Sequence, residues 1–289
     1  MIKFKHLFYT VVIATVLYSC GSDNNNSFVD NHDHEGQAVI DNDSLIKFFK
    51  NNYYNATLDS VKVIDNNQTS LFDDVNLVTK EVTENEIDYK LYYYITKVGT
   101  PTVDKGFPTV MDSVYAKYRG QTIVRNDSLS ADFDKNTTWF SLNNVIRGWT
   151  YSLVHFKGGN NVTGNGPITY ENGSEGIIFI PSGLAYRNGG TGNIPPNSNL
   201  MFTVELWDFV KDTDADLDNV PSIYEDIDGD GDPRNDDTNE NGIANYNDVD
   251  DDGDGILTKD EDKNGDGDPR NDFNDPNKPN VPDYLNRDI

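Results

Sequence analysis

The sequence is poor in positive charge. It holds 23 Lys plus Arg against 49 Asp plus Glu, which gives a formal net charge of −26. Residues 212–289 contain 26 of those acids and only 6 of the bases, so this C-terminal segment alone carries −20. Such a surface repels the phosphates of DNA and RNA and attracts cations. The composition therefore argues against a nucleic-acid partner.

Cysteine is also nearly absent, since Cys20 is the single one, and it follows an apolar run over residues 7–17. Two lysines precede that run, which is too short to span a bilayer as a mature helix. The tetrapeptide Leu17-Tyr18-Ser19-Cys20 resembles a bacterial lipoprotein box, although Tyr18 is unusual there. We therefore expect a lipoprotein signal peptide over residues 1–19, acylation of Cys20 and a membrane anchor without a spanning helix. The alternative is a plain signal peptide with an incidental cysteine.

We therefore expect the mature protein to lie in the bacterial cell envelope, anchored to the outer membrane. The sequence does not distinguish the periplasmic face of that membrane from the surface face. Residues 20–42 are polar and aperiodic, so we expect a flexible tether. Within it, His32 and His34 are candidates for weak metal binding, with a solvated linker as the alternative. Residues 43–86 are predicted to be an N-terminal extension with a short helix, capped by Asp43 or Ser44.

Strand-like alternation begins at Ile87, where Ile87, Tyr89, Leu91, Tyr93 and Ile95 occupy every second position. Further strands are predicted over residues 113–118 and 201–207, and a helix after Arg147. Together they predict an α+β domain over residues 87–210, with an antiparallel sheet packed on a short helix.

Two motifs in this domain, VIRGW at 145–149 and IPPNSNLMFTVELWDF at 194–209, resemble the FKBP-type peptidyl-prolyl cis-trans isomerases. The resemblance covers about 120 residues and implies the FKBP-like fold, prolyl isomerase activity and proline-containing protein clients. It also implies a proline pocket whose residues we expect to be Tyr118, Phe133, Asp134, Val145, Ile146, Trp149, Tyr186, Ile194 and Phe202.

The resemblance further assigns roles within the pocket. Trp149 is the expected floor, the backbone at Val145 and Ile146 receives the ligand, and Phe133, Ile146, Trp149 and Phe202 enclose the proline ring. Tyr186 and Asp134 are expected to orient the substrate by hydrogen bonds. The alternative is that the aromatic residues are simply core.

The sequence departs from the family pattern at three places, and we expect these to affect the catalytic rate and the affinity for inhibitors more than the fold. Thr138 stands where a second pocket Phe is usual, and the neighbouring Trp139 is a candidate to compensate. The loop after Tyr186 is one residue shorter than is common, and an insertion of about ten residues lies within 158–176.

Rotation about a prolyl bond crosses a barrier of roughly 18–20 kcal/mol, because amide resonance is lost in the twisted state. An apolar pocket favours that state without a nucleophile or base. The predicted domain has no cysteine, and its single histidine, His155, is predicted to lie on the helix.

The C-terminal segment carries an internal repeat, since GDGDPRND at 229–236 recurs at 265–272. Aspartates at alternate positions recur at a spacing of about 12, and the block from Asp250 to Glu261 fits an EF-hand loop, with Gly255 at the turn. Loops spaced this closely leave no room for flanking helices. Residues 211–289 therefore resemble thrombospondin type-three calcium repeats, with a disordered acidic tail as the alternative. Phe273 occupies the twelfth position after Asp262, which places that last loop in question. The candidate calcium ligands are Asp214, Asp216, Asp218, Glu225, Asp226, Asp228, Asp230, Asp237, Asn239, Asn241, Asp248, Asp250, Asp252, Asp254, Glu261, Asp262, Asn264 and Asp266.

The sequence thus predicts a lipid-anchored FKBP-like prolyl isomerase with a calcium-binding tail, which assists the folding of exported or envelope proteins. No cofactor is expected for catalysis. Two alternatives stay open, namely a non-catalytic FKBP-fold binding or chaperone module and a calcium-dependent surface assembly or adhesion protein.

Overall fold

The computed structural model describes residues 30–289, so the predicted signal peptide and Cys20 lie outside the described residues. The regular elements of the described part are two α-helices and eleven strands. In chain order they are α1 (His34–Asn51), β1 (Asn52–Asn55), β2 (Ser60–Val63), β3 (Leu77–Glu84), β4 (Ile87–Lys97), β5 (Ser113–Arg125), β6 (Ser128–Leu129), β7 (Asp134–Ser141), α2 (Arg147–Leu153), β8 (Asn160–Asn161), β9 (Tyr170–Glu171), β10 (Glu175–Ile180) and β11 (Leu200–Val210).

The main sheet has seven strands in the order β3-β4-β10-β11-β5-β6, and β7 also pairs with β5. All of its pairings are antiparallel. The small β1–β2 and β8–β9 hairpins stand apart from it, and the second of these forms the predicted insertion. The α+β prediction is confirmed, and the strands predicted at 87, 113 and 201 are all present.

A helix covers each face of the sheet, and the central strand β10 is apolar from Ile177 to Ile180 because it is buried on both faces. Ile178 and Ile180 belong to the core beneath α2, whereas Ile177 and Phe179 pack with α1. A strand that is buried on both faces reads as a continuous hydrophobic run instead of an alternating one. The sheet therefore has two cores, and the α2 side holds the larger one.

Helix α1 begins at His34, so the prediction of a flexible tether is wrong for residues 34–42, and Asp43 and Ser44 lie inside the helix instead of capping it. The helix buries a stripe at 38, 41, 45, 48 and 49. One member of that stripe is Asp41, whose carboxylate accepts hydrogen bonds from the backbone N–H (2.8 Å) and hydroxyl (2.6 Å) of Ser182. An acid at a core position interrupts the apolar pattern, so the sequence pattern does not predict the first half of the helix.

Strand β3 pairs with β4 along its whole length, so the sheet begins at Leu77, ahead of the predicted boundary at 87. The two strands join through Asn85 and Glu86, which both have positive φ (51° and 63°). That geometry belongs to a two-residue hairpin turn, usually marked by glycine, which is missing here. Most of β3 is exposed, so its side chains show little apolar alternation.

The segment after β11 contains short 3₁₀ turns, but among the described residues it has neither an α-helix nor a β-strand. It nevertheless belongs to the same compact unit as the sheet, which spans residues 34–289. Within the described part of the chain, none of the helices is both long enough and apolar enough to traverse a bilayer.

Candidate active site

A pocket of about 670 Å³ lies among β5, β7, β11 and the segment that leads into α2. The structure brings together here all of the residues that the sequence analysis assigned to a proline pocket. Those residues are Tyr118, Phe133, Asp134, Val145, Ile146, Trp149, Tyr186, Ile194 and Phe202.

Trp149 in α2 is only 4% exposed and has aromatic neighbours on several sides. Its ring meets those of Tyr118, Phe140 and Phe202 edge to face, with centroids 4.9, 5.0 and 5.0 Å away. Aromatic pairs favour this arrangement, because the positive ring edge faces the negative ring face. The indole is thus held in one orientation at the base of the pocket.

Phe133 and Phe202 form one wall, with their rings nearly perpendicular (88°) and their centroids 5.5 Å apart. Both rings lie against Gly120 of β5, where an added Cβ would be 2.5 Å from Phe202 and 2.6 Å from Phe133. A residue with a side chain would therefore clash at position 120, whereas glycine lets the two aromatic rings pack against the backbone.

The polar groups of the pocket gather around Asp134, whose carboxylate accepts a hydrogen bond of 2.8 Å from the Tyr118 hydroxyl. Burial, together with this carboxylate, raises the pKa of Tyr118 to about 12. Burial and then the charge of Asp134 also raise the pKa of Tyr186. Both phenols consequently remain neutral hydrogen-bond donors at neutral pH.

Two loops complete the pocket. Val145 and Ile146 precede α2, and the Ile146 carbonyl accepts the Trp149 backbone N–H at 2.9 Å. Ile194 closes a tight turn by exchanging backbone hydrogen bonds with Thr191 (2.9 and 2.7 Å). Gly192, inside that turn, has a φ of +49°, a conformation that glycine adopts readily. The turn holds the Ile194 side chain against the pocket.

The structure corrects the expectation for β7. Trp139 is 45% exposed and stacks on Tyr115, with ring centroids 5.2 Å apart, so it does not line the pocket. Its neighbour Phe140 does, together with Thr138. Alternate residues of a strand share a face, so the period of two from Thr138 points to Phe140 and not to Trp139. Phe140 thus supplies the aromatic side chain that the family pattern appeared to lose.

His155 was predicted on the helix but lies two residues beyond its end at Leu153. It stacks on Tyr93, with ring centroids 4.6 Å apart, and is not among the pocket residues. Burial, and then the charge of Lys80, lowers its pKa. The ionisable residues that line the pocket are Asp134, Tyr118 and Tyr186. This set is suited to binding and orienting an amide, because the phenols can donate to a carbonyl oxygen and the carboxylate can accept from an N–H.

A second candidate site lies in the C-terminal segment, whose five acidic loops begin at Asp214, Asp226, Asp237, Asp250 and Asp262. In each loop the first aspartate accepts a hydrogen bond from the backbone N–H five residues later, at 2.7 to 3.1 Å. The donor is a glycine with positive φ in four loops and Asn219, with a φ of +77°, in the first. One local geometry therefore recurs in all five.

The described residues contain four groups of three carboxylates whose oxygens lie within 4.8 Å of one another. Three groups are the predicted triplets that begin at Asp214, Asp226 and Asp250, and the fourth combines Asp218, Glu225 and Asp251. The loops at Asp237 and Asp262 have asparagine at some of the equivalent positions, so they offer amide oxygens alongside fewer carboxylates.

Sequence reasoning missed the last acid of the two GDGDPRND loops, because it looked at position twelve. Asp272 lies one residue before the exposed Phe273, is buried, and accepts the backbone N–H of Asn264 at 3.0 Å. Asp236 does the same in the earlier copy for the backbone N–H of Asp228 at 3.1 Å. The last loop therefore has a buried acid at position eleven, one residue before Phe273.

Glu225 and Asp251 are buried and without hydrogen-bond partners for their carboxylate oxygens. Burial, and then the neighbouring carboxylates, raises the pKa of Glu225 to about 10 and that of Asp251 to about 9. Asp251 was not predicted as a ligand, because it occupies the second position of its loop.

The tail meets the rest of the molecule at Glu84, the last residue of β3. Its carboxylate accepts hydrogen bonds from two nitrogens of Arg234 (3.2 and 3.1 Å) and from the Tyr151 hydroxyl (2.9 Å). The Nε of Arg147, the first residue of α2, lies 3.8 Å from the Glu84 Oε1. Burial alone would raise the pKa of Glu84, but the hydrogen bonds and charge of Arg234 hold it below its ordinary value.

Comparison with known proteins shows what the pocket domain is similar to. Residues 104–207 match the family described as FKBP-type peptidyl-prolyl cis-trans isomerase. A protein of Neisseria meningitidis serogroup B named probable FKBP-type peptidyl-prolyl cis-trans isomerase FkpA is 34% identical over 117 residues, which is 40% of this chain and 36% of that protein. The FkpA of Aeromonas hydrophila is 34% identical over 131 residues, 45% of this chain and 41% of that protein. The matched segment thus spans about two fifths of the length of these curated relatives.

Among solved structures, FkpA from Escherichia coli has a TM-score of 0.37 and 22% sequence identity, over 73% of this chain and 83% of that one.

Proposed function

We propose that this chain, whose residues 104–207 match the FKBP-type peptidyl-prolyl cis-trans isomerase family, accelerates rotation about prolyl peptide bonds in protein clients. The observation that carries the proposal is the aromatic pocket around Trp149, which gathers every residue assigned to proline binding.

The pocket chemistry suits this reaction, which forms and breaks no covalent bond. In the twisted state the prolyl nitrogen loses conjugation and the amide becomes less polar, so an apolar enclosure favours the twisted state over the planar ones. Trp149, Phe133 and Phe202 would surround the proline ring. Because their rings are already fixed by mutual edge-to-face contacts, little ordering is required on binding.

The polar side of the pocket would orient the client. Tyr118 donates to Asp134, which fixes that carboxylate, and Tyr186 lines the same pocket as a second donor. A client backbone next to the proline can then hydrogen-bond to these groups while the ring is enclosed. The backbone at Val145 and Ile146 is proposed to receive the client as well.

We also propose that the mature protein is held at a membrane of the bacterial envelope through acylated Cys20. The support is the short apolar run and the lipoprotein-like tetrapeptide that end at this residue. Clients would then be exported or envelope proteins, whose folding is slowed by prolyl isomerisation that takes tens of seconds without a catalyst.

Calcium is proposed to order residues 211–289. The support is the recurrence of one loop geometry in five places and the convergence of carboxylates in groups of three. Hard cations such as Ca²⁺ take six to eight oxygen ligands, which loops of this composition can supply.

A protease-free assay of prolyl isomerisation in a short peptide tests the enzyme proposal, with the full chain as catalyst. Trp149→Ala and Trp139→Ala form a matched pair, since one indole is in the pocket and the other is on the opposite face of β7. Loss of the buried indole contacts, about 1.5–3 kcal/mol, should lower kcat/KM by roughly tenfold to a hundredfold. The Trp139 variant should keep its activity.

A folded wild-type chain that binds a proline peptide without accelerating its isomerisation would refute the enzyme proposal and favour a binding or chaperone module. Equal losses in the two tryptophan variants would contradict the assignment of the pocket. Thermal unfolding with and without calcium tests the tail separately, because a calcium-ordered segment must be stabilised by the ion.

A further inference from the structure

The strongest unexplained feature outside the pocket is a buried group of three carboxylates drawn from two different acidic loops. Asp218 and Glu225 belong to the loop that begins at Asp214, and Asp251 belongs to the loop that begins at Asp250. One oxygen from each lies within 4.8 Å of the others, and the side chains are 1%, 0% and 1% exposed, respectively.

These carboxylates lack the partners that buried charges require. Both oxygens of Glu225, both of Asp251 and one of Asp218 have no hydrogen bond within the described structure. Buried polar atoms are normally satisfied, and a buried charge without compensation costs several kcal/mol. Five unsatisfied carboxylate oxygens in one place are most of the ligand set that a calcium ion takes.

Asp251 does not join the carboxylate group of its own loop. Its neighbours Asp250, Asp252 and Asp254 form one carboxylate group, while Asp251 joins the group of the first loop. Its backbone N–H donates to the Thr258 hydroxyl at 3.2 Å, which anchors it in the fourth loop.

The other loops have no counterpart. Their second positions are Ala215, Ile227, Thr238 and Lys263, so Asp251 is the only acid at this position among the five loops. The contact is therefore a property of one pair of loops and not of the repeat.

We propose that Asp218, Glu225 and Asp251 bind a divalent cation of the calcium type, which ties the first acidic loop to the fourth. This inference rests on the proposed calcium binding of the tail and adds to it a ligand supplied from another loop. Such an ion closes a segment of more than thirty residues, so it stabilises the tertiary arrangement of the tail as well as one loop. The first loop follows directly on β11, so the ion also fastens the fourth loop close to the sheet.

The test compares the full chain with Asp251→Asn and with Asp260→Asn, which makes the same chemical change at an exposed position in the same loop. Calcium binding to chelator-treated protein is measured by calorimetry, and thermal unfolding is followed with and without calcium. Asp251→Asn should weaken one binding event by about tenfold or more and leave the others intact. Asp260→Asn should match the wild type.

Thermal unfolding shows whether Asp251 binds an ion or only supports the fold. Without calcium, Asp251→Asn replaces a buried acid that has no hydrogen-bond partner for either oxygen, so its Tm should equal or exceed that of the wild type. With saturating calcium, its Tm should be lower than that of the wild type. A variant that is less stable in both conditions, or one whose calcium isotherm superimposes on that of Asp260→Asn, would overturn the inference while leaving calcium binding by the tail in place. A wild-type chain that binds no calcium would refute the proposal for the tail itself.

Discussion

Arg234 offers the sharpest test of how the acidic tail is attached, because the repeat contains its own control. Arg234 and Arg270 occupy the same position in the two copies of GDGDPRND and each binds the aspartate two residues before it. Only Arg234 also reaches Glu84 of β3, whereas Arg270 lies over the ring of Tyr224 at 4.3 Å. Comparing Arg234→Gln with Arg270→Gln therefore isolates the contact with the sheet.

The magnitude follows from burial and the remaining partners. Glu84 is 8% exposed and accepts two hydrogen bonds from Arg234. Charge-assisted bonds contribute about 1.5–3 kcal/mol each, but Tyr151 and Arg147 would still compensate part of the Glu84 charge. We therefore expect Arg234→Gln to cost about 2–3 kcal/mol, or roughly 4–12 °C in Tm for a unit of this size. Arg270→Gln should cost about 1 kcal/mol or less, as partly exposed pairs usually do.

Thermal unfolding of both variants in saturating calcium is the measurement, followed by a double-mutant cycle with Glu84→Gln. Coupling of at least about 1 kcal/mol between positions 234 and 84 is expected, since contacting charged groups are not additive. Because the pKa of Glu84 is lowered in the folded state, the contribution of its charge is present above its ordinary pKa of 4.5 and is lost as pH falls through the folded pKa. The difference in Tm between the wild type and Arg234→Gln should therefore become smaller as the pH falls below 4.5. Equal costs for the two arginine variants, or additive effects with Glu84→Gln, would refute this account.

Three further outcomes are expected. Gly120→Ala should destabilise the protein by about 1–3 kcal/mol through overpacking and lower isomerase activity, whereas Gly164→Ala, with nothing within 4 Å, should do neither in thermal and kinetic assays. Asp41→Ala should cost about 1–3 kcal/mol in chemical denaturation, because it leaves buried donors unpaired. Asp41→Asn should cost less, since burial already disfavours the charge and the amide keeps an acceptor. Phe140→Leu should lower kcat/KM by about twofold to tenfold through loss of an aromatic pair, and unchanged activity would remove this residue from the site.

Much of the pocket was predictable because its residues lie in short motifs whose side chains leave few alternatives. Trp149, Val145 and Ile146 come from one pentapeptide, and the strand that carries Phe202 alternates clearly. Phe140 was missed although its signal was present, since Thr138 and the strand period together point to it. The error lay in choosing the larger neighbouring aromatic residue over the one on the correct face.

The N-terminal helix and the edge strand were harder to predict, because tertiary contacts decide them. Asp41 reads as a solvent-exposed acid until the backbone N–H and hydroxyl of Ser182, about 140 residues away, are placed against it. Strand β3 shows little pattern of its own and is specified by pairing with β4. No local propensity contains that information, and the same holds for Asp251, whose neighbours come from a loop more than twenty residues away.

The two parts of the described chain are stabilised by different physical means. Beneath α2 and α1 the sheet buries apolar side chains, which depend on solvent and temperature but little on ions. Residues 212–289 have a net charge of −20 and only six basic residues, of which Arg234 and Arg270 are each engaged with a nearby aspartate. The bases of this segment therefore cannot neutralise its acidic side chains, which supports the proposal that cations from solution order it. Removing cations with a chelator should consequently loosen residues 211–289 first, whereas substitutions in the pocket should destabilise the sheet. Glu84 of β3 connects the two parts, because it accepts hydrogen bonds from Arg234 of the tail.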